Sequence, residues 1–371
     1  MSMMLLTSCG KTQNEVEAAS ADSSAKIRVI AEKGPRDETA PTAAVSGNKP
    51  AEGADPAGTA ADVSAAQEPD IAVWYPYWDY ATADRELELI GEDLTTICFF
   101  AAYFDVNNRP FIPQDTSETY KRLSKAGKLS GRNTYLTFVN DKLLAQGSSL
   151  KDTDLLYELI GDRTKAKAHA QEVIRLTKEL GCTGIEIDYE AIKKDQVLWG
   201  HFNDFITILA EETQASSMPL RVVFEPSAPI DLYEWPASPE YVMMCYNLKG
   251  YGTEPGPKAN IAWIRELSEK MKVLGGRINL AFASGGFDFG ADGTTAQIDY
   301  AKAVKLVSGS GAEPQRDEKS GALYAAYEDE NGGRHEIWYA DQETLKKWIG
   351  TAGECGIKRF SIWRLGGNIN S

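Results

Sequence analysis

From about residue 70 the apolar positions follow two alternating rhythms. Short runs of β-branched and aromatic residues are separated by stretches whose apolar residues recur every three or four positions. The runs predict eight strands: IAVWYPY (71–77), TTICFFAAY (95–103), NTYLTFV (133–139), TGIEIDYE (183–190), LRVVFEP (220–226), YVMMCYN (241–247), RINLAFASG (277–285) and RFSIWRL (359–365). DRTKAKAHAQEVIRLTKELG, which closes on Gly181, carries the helical period, as do LWGHFNDFITILAEET and NIAWIRELSEKMKVLG. KELGCTGIEIDYE and TAGECGIKRFSIW both run from a helix end through Gly and Cys into a strand, so one type of joint is used twice. Eight strands mostly separated by helices predict an α/β protein, a (β/α)8 TIM barrel over 69–371. An open doubly wound sheet is the alternative, but the Gly-rich turn it would carry after its first strand is missing.

Between the seventh and eighth strands lies too much chain for one crossover. Residues 296–311 read as a helix, and GALYAAYEDENGGRHEIWYA reads as a hairpin turning at Glu330-Asn331-Gly332-Gly333. A small α+β insertion is therefore expected over 296–341, followed by the helix QETLKKWIGTAG.

The first 68 residues have another character. Residues 10–68 are rich in Ala, Ser, Gly, Pro, Glu and Asp and hold no aromatic residue. Such a stretch buries too little surface to offset its ordering entropy and reads as a low-complexity tether. Before it, Leu6-Thr7-Ser8-Cys9 looks like the end of a bacterial lipoprotein signal, with Cys9 the lipidated residue and residues 1–9 a partial signal. Export with a lipid anchor to the membrane, and a monomeric barrel, are the expectations. No run of 18 apolar residues predicts a spanning helix.

Composition adds exclusions. A net charge of −15 argues against nucleic acid as a partner. The five cysteines are widely spaced without a CxxC pair and read as free thiols; the three histidines are scattered. No metal or cofactor signature is present.

The candidate chemistry lies in GIEIDYE. Alternate side chains of a strand share a face, so Glu186, Asp188 and Glu190 point one way and Ile185, Ile187 and Tyr189 the other. In a barrel the isoleucines suit the helix layer. The acids then climb the interior towards the C-terminal mouth, where barrel active sites sit. Like charges at this spacing push at least one pKa upward, as a general acid requires. The plain alternative is an edge strand with its acids in water.

TGIEIDYE resembles the DGxDxDxE signature of glycoside hydrolase family 18. VWYPYWD, TTICFFAAYFD, MMCYN (243–247), RINLAFASGGFDF and FSIWRLGG resemble that family's first, second, sixth, seventh and eighth strands, in order over residues 70–371. The resemblance implies an enzyme that cleaves a β-glycosidic bond next to an N-acetylated sugar, with the substrate's own acetamido oxygen as nucleophile. On that pattern Glu190 is the acid/base and Asp188 holds the acetamido N–H, with Glu186 below it and able to share its proton. Tyr246 bonds the acetamido carbonyl, Asn247 lines the pocket, and Trp363 is the floor under the sugar. Tyr75 and Trp78 would extend the sugar platform, and Glu225 would contact substrate at the mouth. Each has a structural alternative: Tyr246 as a core tyrosine, Trp363 as barrel filling, Tyr75 as aromatic packing, Glu225 as an ion-pair partner. The family's first two aspartates are replaced by Thr183 and Glu186.

The expected partner is an N-acetylated glycan: chitin, peptidoglycan or an N-linked glycan. A non-catalytic, lipid-anchored glycan-binding barrel is the alternative function. A third reading sets Glu186, Asp188 and Glu190 around a hard cation such as Mg²⁺, but no further ligand-rich strand end supports it.

Overall fold

A computed structural model describes residues 70–368. Cys9, the signal-like segment and the tether lie outside the described residues. The eight barrel strands are Asp70–Pro76, Thr96–Phe104, Asn133–Lys142, Gly184–Asp188, Leu220–Phe224, Glu240–Met244, Arg277–Ala283 and Arg359–Trp363. They are called the first to the eighth strand below. Each pairs in parallel with the next, and the eighth closes on the first from Asp70↔Arg359 to Val73↔Ile362. This is the (β/α)8 barrel the strand count predicts.

The surrounding helices form for legible reasons. Arg163–Leu180 is capped by Asp162, whose carboxylate accepts from the backbone of Thr164 and Lys165, and it ends on Gly181 at φ 95°, the left-handed stop. Its buried face, Ala166, Ala170, Val173, Thr177 and Leu180, recurs at the helical period. Between the fifth and sixth strands the connection is a single 3₁₀ turn, Ile230–Leu232, so the helix ring is thin at that point.

The core has two layers. Outward strand residues such as Ile71, Val73, Ile185, Ile187 and Met243 pack against the helices. Inward residues Trp74, Cys98, Tyr135, Val223, Val242, Met244 and Ala281 fill the barrel. The four described cysteines are free, and three of them are buried.

The insertion begins earlier than the sequence pattern predicts. RINLAFASG reads as one run, but the seventh strand stops at Ala283 and a new strand, Gly285–Gly290, leaves the barrel. Gly285 makes the break at φ 63°. A side chain on Gly286 would meet the Trp338 carbonyl, so only glycine admits the pairing that follows. Gly285–Gly290, Thr295–Ile298, Gln315–Arg316, Leu323–Glu328 and Arg334–Ala340 form a five-stranded antiparallel sheet. Helix Tyr300–Ser310 packs on it through Ala303 and Val307. The hairpin lies where the pattern predicts it, while the helix expected over 296–311 spans Tyr300–Ser310 and its first residues belong to the strand Thr295–Ile298.

Candidate active site

The fourth strand sorts its side chains as alternation requires. Ile185, Ile187 and Tyr189 join the outer core. Tyr189 meets His169 at 2.6 Å; burial pulls that imidazole down to about 3, so it stays neutral. Glu186 and Asp188 face inward, and Glu190 follows the strand end with its side chain 18% exposed.

Glu186 is fully buried and its carboxylate is saturated. Oε1 accepts from Trp74 Nε1 at 2.6 Å and Thr137 Oγ1 at 2.7 Å. Oε2 accepts from Arg221 Nε at 2.8 Å, with Cys98 Sγ at 3.6 Å. Arg221 continues to Glu240 at 2.5 Å and to Ser361 at 2.9 Å, over the Tyr135 ring. The chain thus holds an Arg between two carboxylates at the barrel centre, where an unpaired charge would be very costly. No hydrogen bond joins Glu186 to Asp188 among the described residues. The extra methylene of Glu over Asp carries this carboxylate to donors on the barrel floor. Thr183, at the other replaced position, exchanges hydrogen bonds with the Thr134 backbone and ties the base of the fourth strand to the third.

Asp188 is 7% exposed, and its Oδ1 is buried without a partner. Burial, then the charges of Glu190 and Glu186, push its carboxyl well above the usual range. Glu190 is also raised, by burial, against the pull of Lys151, whose Nζ lies 2.5 Å from Oε2. The backbone of Glu190 is clamped by Asn140: its N–H donates to Oδ1 at 2.9 Å and its carbonyl accepts from Nδ2 at 3.0 Å. The next residue, Ala191, takes φ 63° and donates its N–H to Glu225 Oε2 at 2.9 Å. The turn carrying Glu190 is therefore pinned from the third and fifth strands.

Tyr246 follows the sixth strand and feels the charges of Asp188, Glu190, Glu186 and Glu225; burial and those charges keep it a phenol, hence a donor. Asn247 is exposed at φ 63°. Trp363 is half-buried at the end of the eighth strand, edge-on to Phe100 at 4.9 Å and to Trp74 at 5.8 Å. Asp188, Glu190, Tyr246, Glu225 and Trp363 are thus all placed at the C-terminal end of the barrel.

Tyr75 is a correction. It is 1% exposed and points out of the barrel, where its hydroxyl donates to Asp84 at 2.5 Å and accepts from Arg122 at 3.2 Å. It cannot touch a sugar at the mouth. The inward aromatic of the first strand is its neighbour Trp74; alternation carries that signal, read one residue out of phase. Trp78, by contrast, is 49% exposed, with the Arg364 guanidinium over its ring. Asn140, Lys151, Thr137 and Arg221 were not singled out from sequence. Arg221, a lone cation inside an apolar strand, was findable; Asn140 and Lys151 are far from Glu190 along the chain and carry no local signal.

Among the described residues no group of three or more His, Cys, Asp and Glu has the arrangement of a metal site.

No family model matches the sequence. Among curated proteins, the chain is 24% identical over 234 residues to an uncharacterized glycosylase of Bacillus subtilis, YvbX, covering 59% of this chain and 68% of that one. It spans about half the length of two further B. subtilis relatives, one of them a cortical fragment-lytic enzyme. Among solved structures, the Bacillus cereus spore cortex-lytic enzyme SleL superposes with a TM-score of 0.68 at 17% identity, over 81% of this chain and 71% of that one. A GH18 chitinase from Cycas revoluta, in complex with (GlcNAc)3, gives 0.63 at 14% identity over 80% and 94%. The chain has the fold of those chitinases and lytic enzymes, and two of the curated proteins it resembles in sequence are named glycosylases.

Proposed function

We propose that the chain hydrolyses β-glycosidic bonds next to N-acetylglucosamine-type sugars, with the substrate supplying the nucleophile. The observation that carries this reading is the unpartnered, buried Oδ1 of Asp188, set in a charge cluster with Glu190 and Tyr246. A buried acceptor without a donor is costly unless a ligand completes it, and an acetamido N–H is such a donor.

The steps are those the family resemblance implies, set on the residues at the barrel mouth. A proton passes from Glu190 to the glycosidic oxygen as the C1–O bond breaks, and that oxygen keeps the electron pair. The acetamido carbonyl oxygen bonds to C1 and forms an oxazolinium ring, whose positive charge Asp188 stabilises. Tyr246 donates to the acetamido oxygen and orients it. Water then attacks C1, Glu190 takes its proton, and the acetamide is released with retained configuration. Trp363 offers an aromatic face to the C–H-rich face of the pyranose. The names of the relatives support glycans of the chitin and spore-cortex type as substrates.

Asp188→Asn keeps a neutral acceptor but removes the carboxyl group that can take up negative charge opposite the developing cation. Turnover of chitooligosaccharides or peptidoglycan fragments should fall about 10²–10³-fold, the size of one electrostatic contact at the reacting centre. Mass spectrometry of the products checks this, and undiminished cleavage sinks the assignment. The pH profile has a definite sign. Glu190 must be protonated to act, and its pKa is raised, so activity persists above the ordinary carboxylate range and is lost as pH rises through the raised value.

The same reading includes export and acylation of Cys9, supported by the LTSC pattern and the low-complexity segment that follows it. Cys9→Ala should shift the protein from the membrane to the soluble fraction when the full chain is expressed in bacteria. Equal partition of both forms refutes the anchor.

A further inference from the structure

The Lys151–Glu190 ion pair is not used in the steps above. We infer that Lys151 is a positioning residue that sets the proton affinity of Glu190, keeping the acid/base carboxyl a stronger acid than its burial alone would make it. The catalytic consequence rests on the reading of Glu190 as the acid; the electrostatic claim does not.

Three features of the structure aim the lysine. Its backbone takes φ 53°, and its N–H donates to Asp141 Oδ1 at 2.7 Å. The residues around it are tied to the third strand by the Lys142–Ser149 bridge and by Asp152, whose N–H donates to the Asn140 carbonyl at 2.8 Å. Asn140 is also the clamp on the Glu190 backbone, so one residue fixes the spacing of both partners. The ammonium then lies 2.5 Å from Oε2.

The other groups around Glu190 are negative or neutral. Asp141 comes from the third strand, Glu186 and Asp188 from the fourth, Glu225 from the end of the fifth, and the Tyr246 phenol from the end of the sixth. Arg221 lies on the barrel floor and is spent on Glu186 and Glu240. Among the groups acting on Glu190, Lys151 is the cation that offsets this field. It does so on the product side of the proton transfer: once Glu190 has given its proton away, the carboxylate left behind is paired at once. It also opposes recharging, since a stabilised carboxylate is a weaker base towards water. Removing the lysine should therefore slow the first step and favour the second.

The test has two arms on the full chain. Glutamate side-chain carboxyls are labelled with carbon-13 and titrated by NMR, and Glu190→Gln identifies the Glu190 resonance. In Lys151→Met the Glu190 midpoint should rise by about one pH unit or more, the range seen when a cation beside a carboxyl is lost. Lys151→Gln should behave alike, and Lys151→Arg should stay near the wild type. In about 1 M salt the wild-type midpoint should drift towards that of Lys151→Met, because the lysine is 48% exposed and its field is screened. An unmoved midpoint in both neutral variants overturns the inference. In the second arm, the alkaline limb of kcat/KM on chitotetraose or peptidoglycan fragments should shift by the same amount. If the wild type turns over neither substrate, the functional reading fails, and the NMR midpoints still decide the electrostatic claim.

Discussion

Glu190→Gln is expected to lower hydrolysis by about 10²–10⁴-fold, towards the upper end of what one acid/base group supplies, because the residue serves both steps. The amide fills the same volume, keeps an oxygen acceptor for Lys151, and leaves the backbone clamp of Asn140 untouched. Folding and glycan binding should persist, so the loss should fall on kcat while KM changes little. Incubation of wild type and variant with chitooligosaccharides, peptidoglycan fragments and N-glycans, read by mass spectrometry, measures the first quantity; calorimetric binding to the variant measures the second. Cleavage by the wild type alone names the substrate class. Intact substrates with both proteins, bound equally by each, would replace the hydrolase by a glycan-binding barrel. Thr183 and Glu186, which stand where the family pattern has aspartates, keep that alternative worth testing.

The second large effect falls on stability. Arg221 is 2% exposed and joins Glu186, 0% exposed, to Glu240, 4% exposed. Arg221→Met keeps the apolar stem, leaves buried Glu186 without its cation, and leaves Glu240 with Arg277 and Arg359. Breaking a buried pair in this way costs about 3–5 kcal/mol. In a barrel of this size the midpoint of thermal unfolding should fall by roughly 10 °C, given about 2–4 °C per kcal/mol. The triple replacement Glu186→Leu, Arg221→Met, Glu240→Leu should recover most of that loss, since replacing a whole buried ionic cluster by apolar residues is often neutral. A triple variant as unstable as Arg221→Met would mean that the cluster contributes shape rather than charge. Differential scanning calorimetry separates the outcomes.

The barrel was legible because its signals are local and repeated. Each strand carries a β-rich run, each helix its period and cap, and eight repeats make the closed barrel the economical solution. The seventh strand misled because a glycine-mediated exit at Gly285 leaves apolar residues on both sides of the break, and the pattern runs straight through it. Tyr75 misled for a related reason: two adjacent aromatics satisfy either phase of an alternation, and only closure of the barrel decides which one turns inward.

Along the chain, residues 184–190 alone determined that three carboxylates share a face of the strand. That follows from the two-residue period of a strand and from the isoleucines that must be buried opposite. Tertiary structure decided what each carboxylate does. Glu186 became the barrel floor because Arg221, Trp74 and Thr137, from three other strands, converge on it. Asp188 kept an unpartnered oxygen because no hydrogen-bond donor among the described residues reaches it. Glu190 acquired its cation from Lys151, 39 residues earlier in the chain. A pKa depends on burial and on charges within a few ångströms, and these are set by which strands become neighbours when the barrel closes.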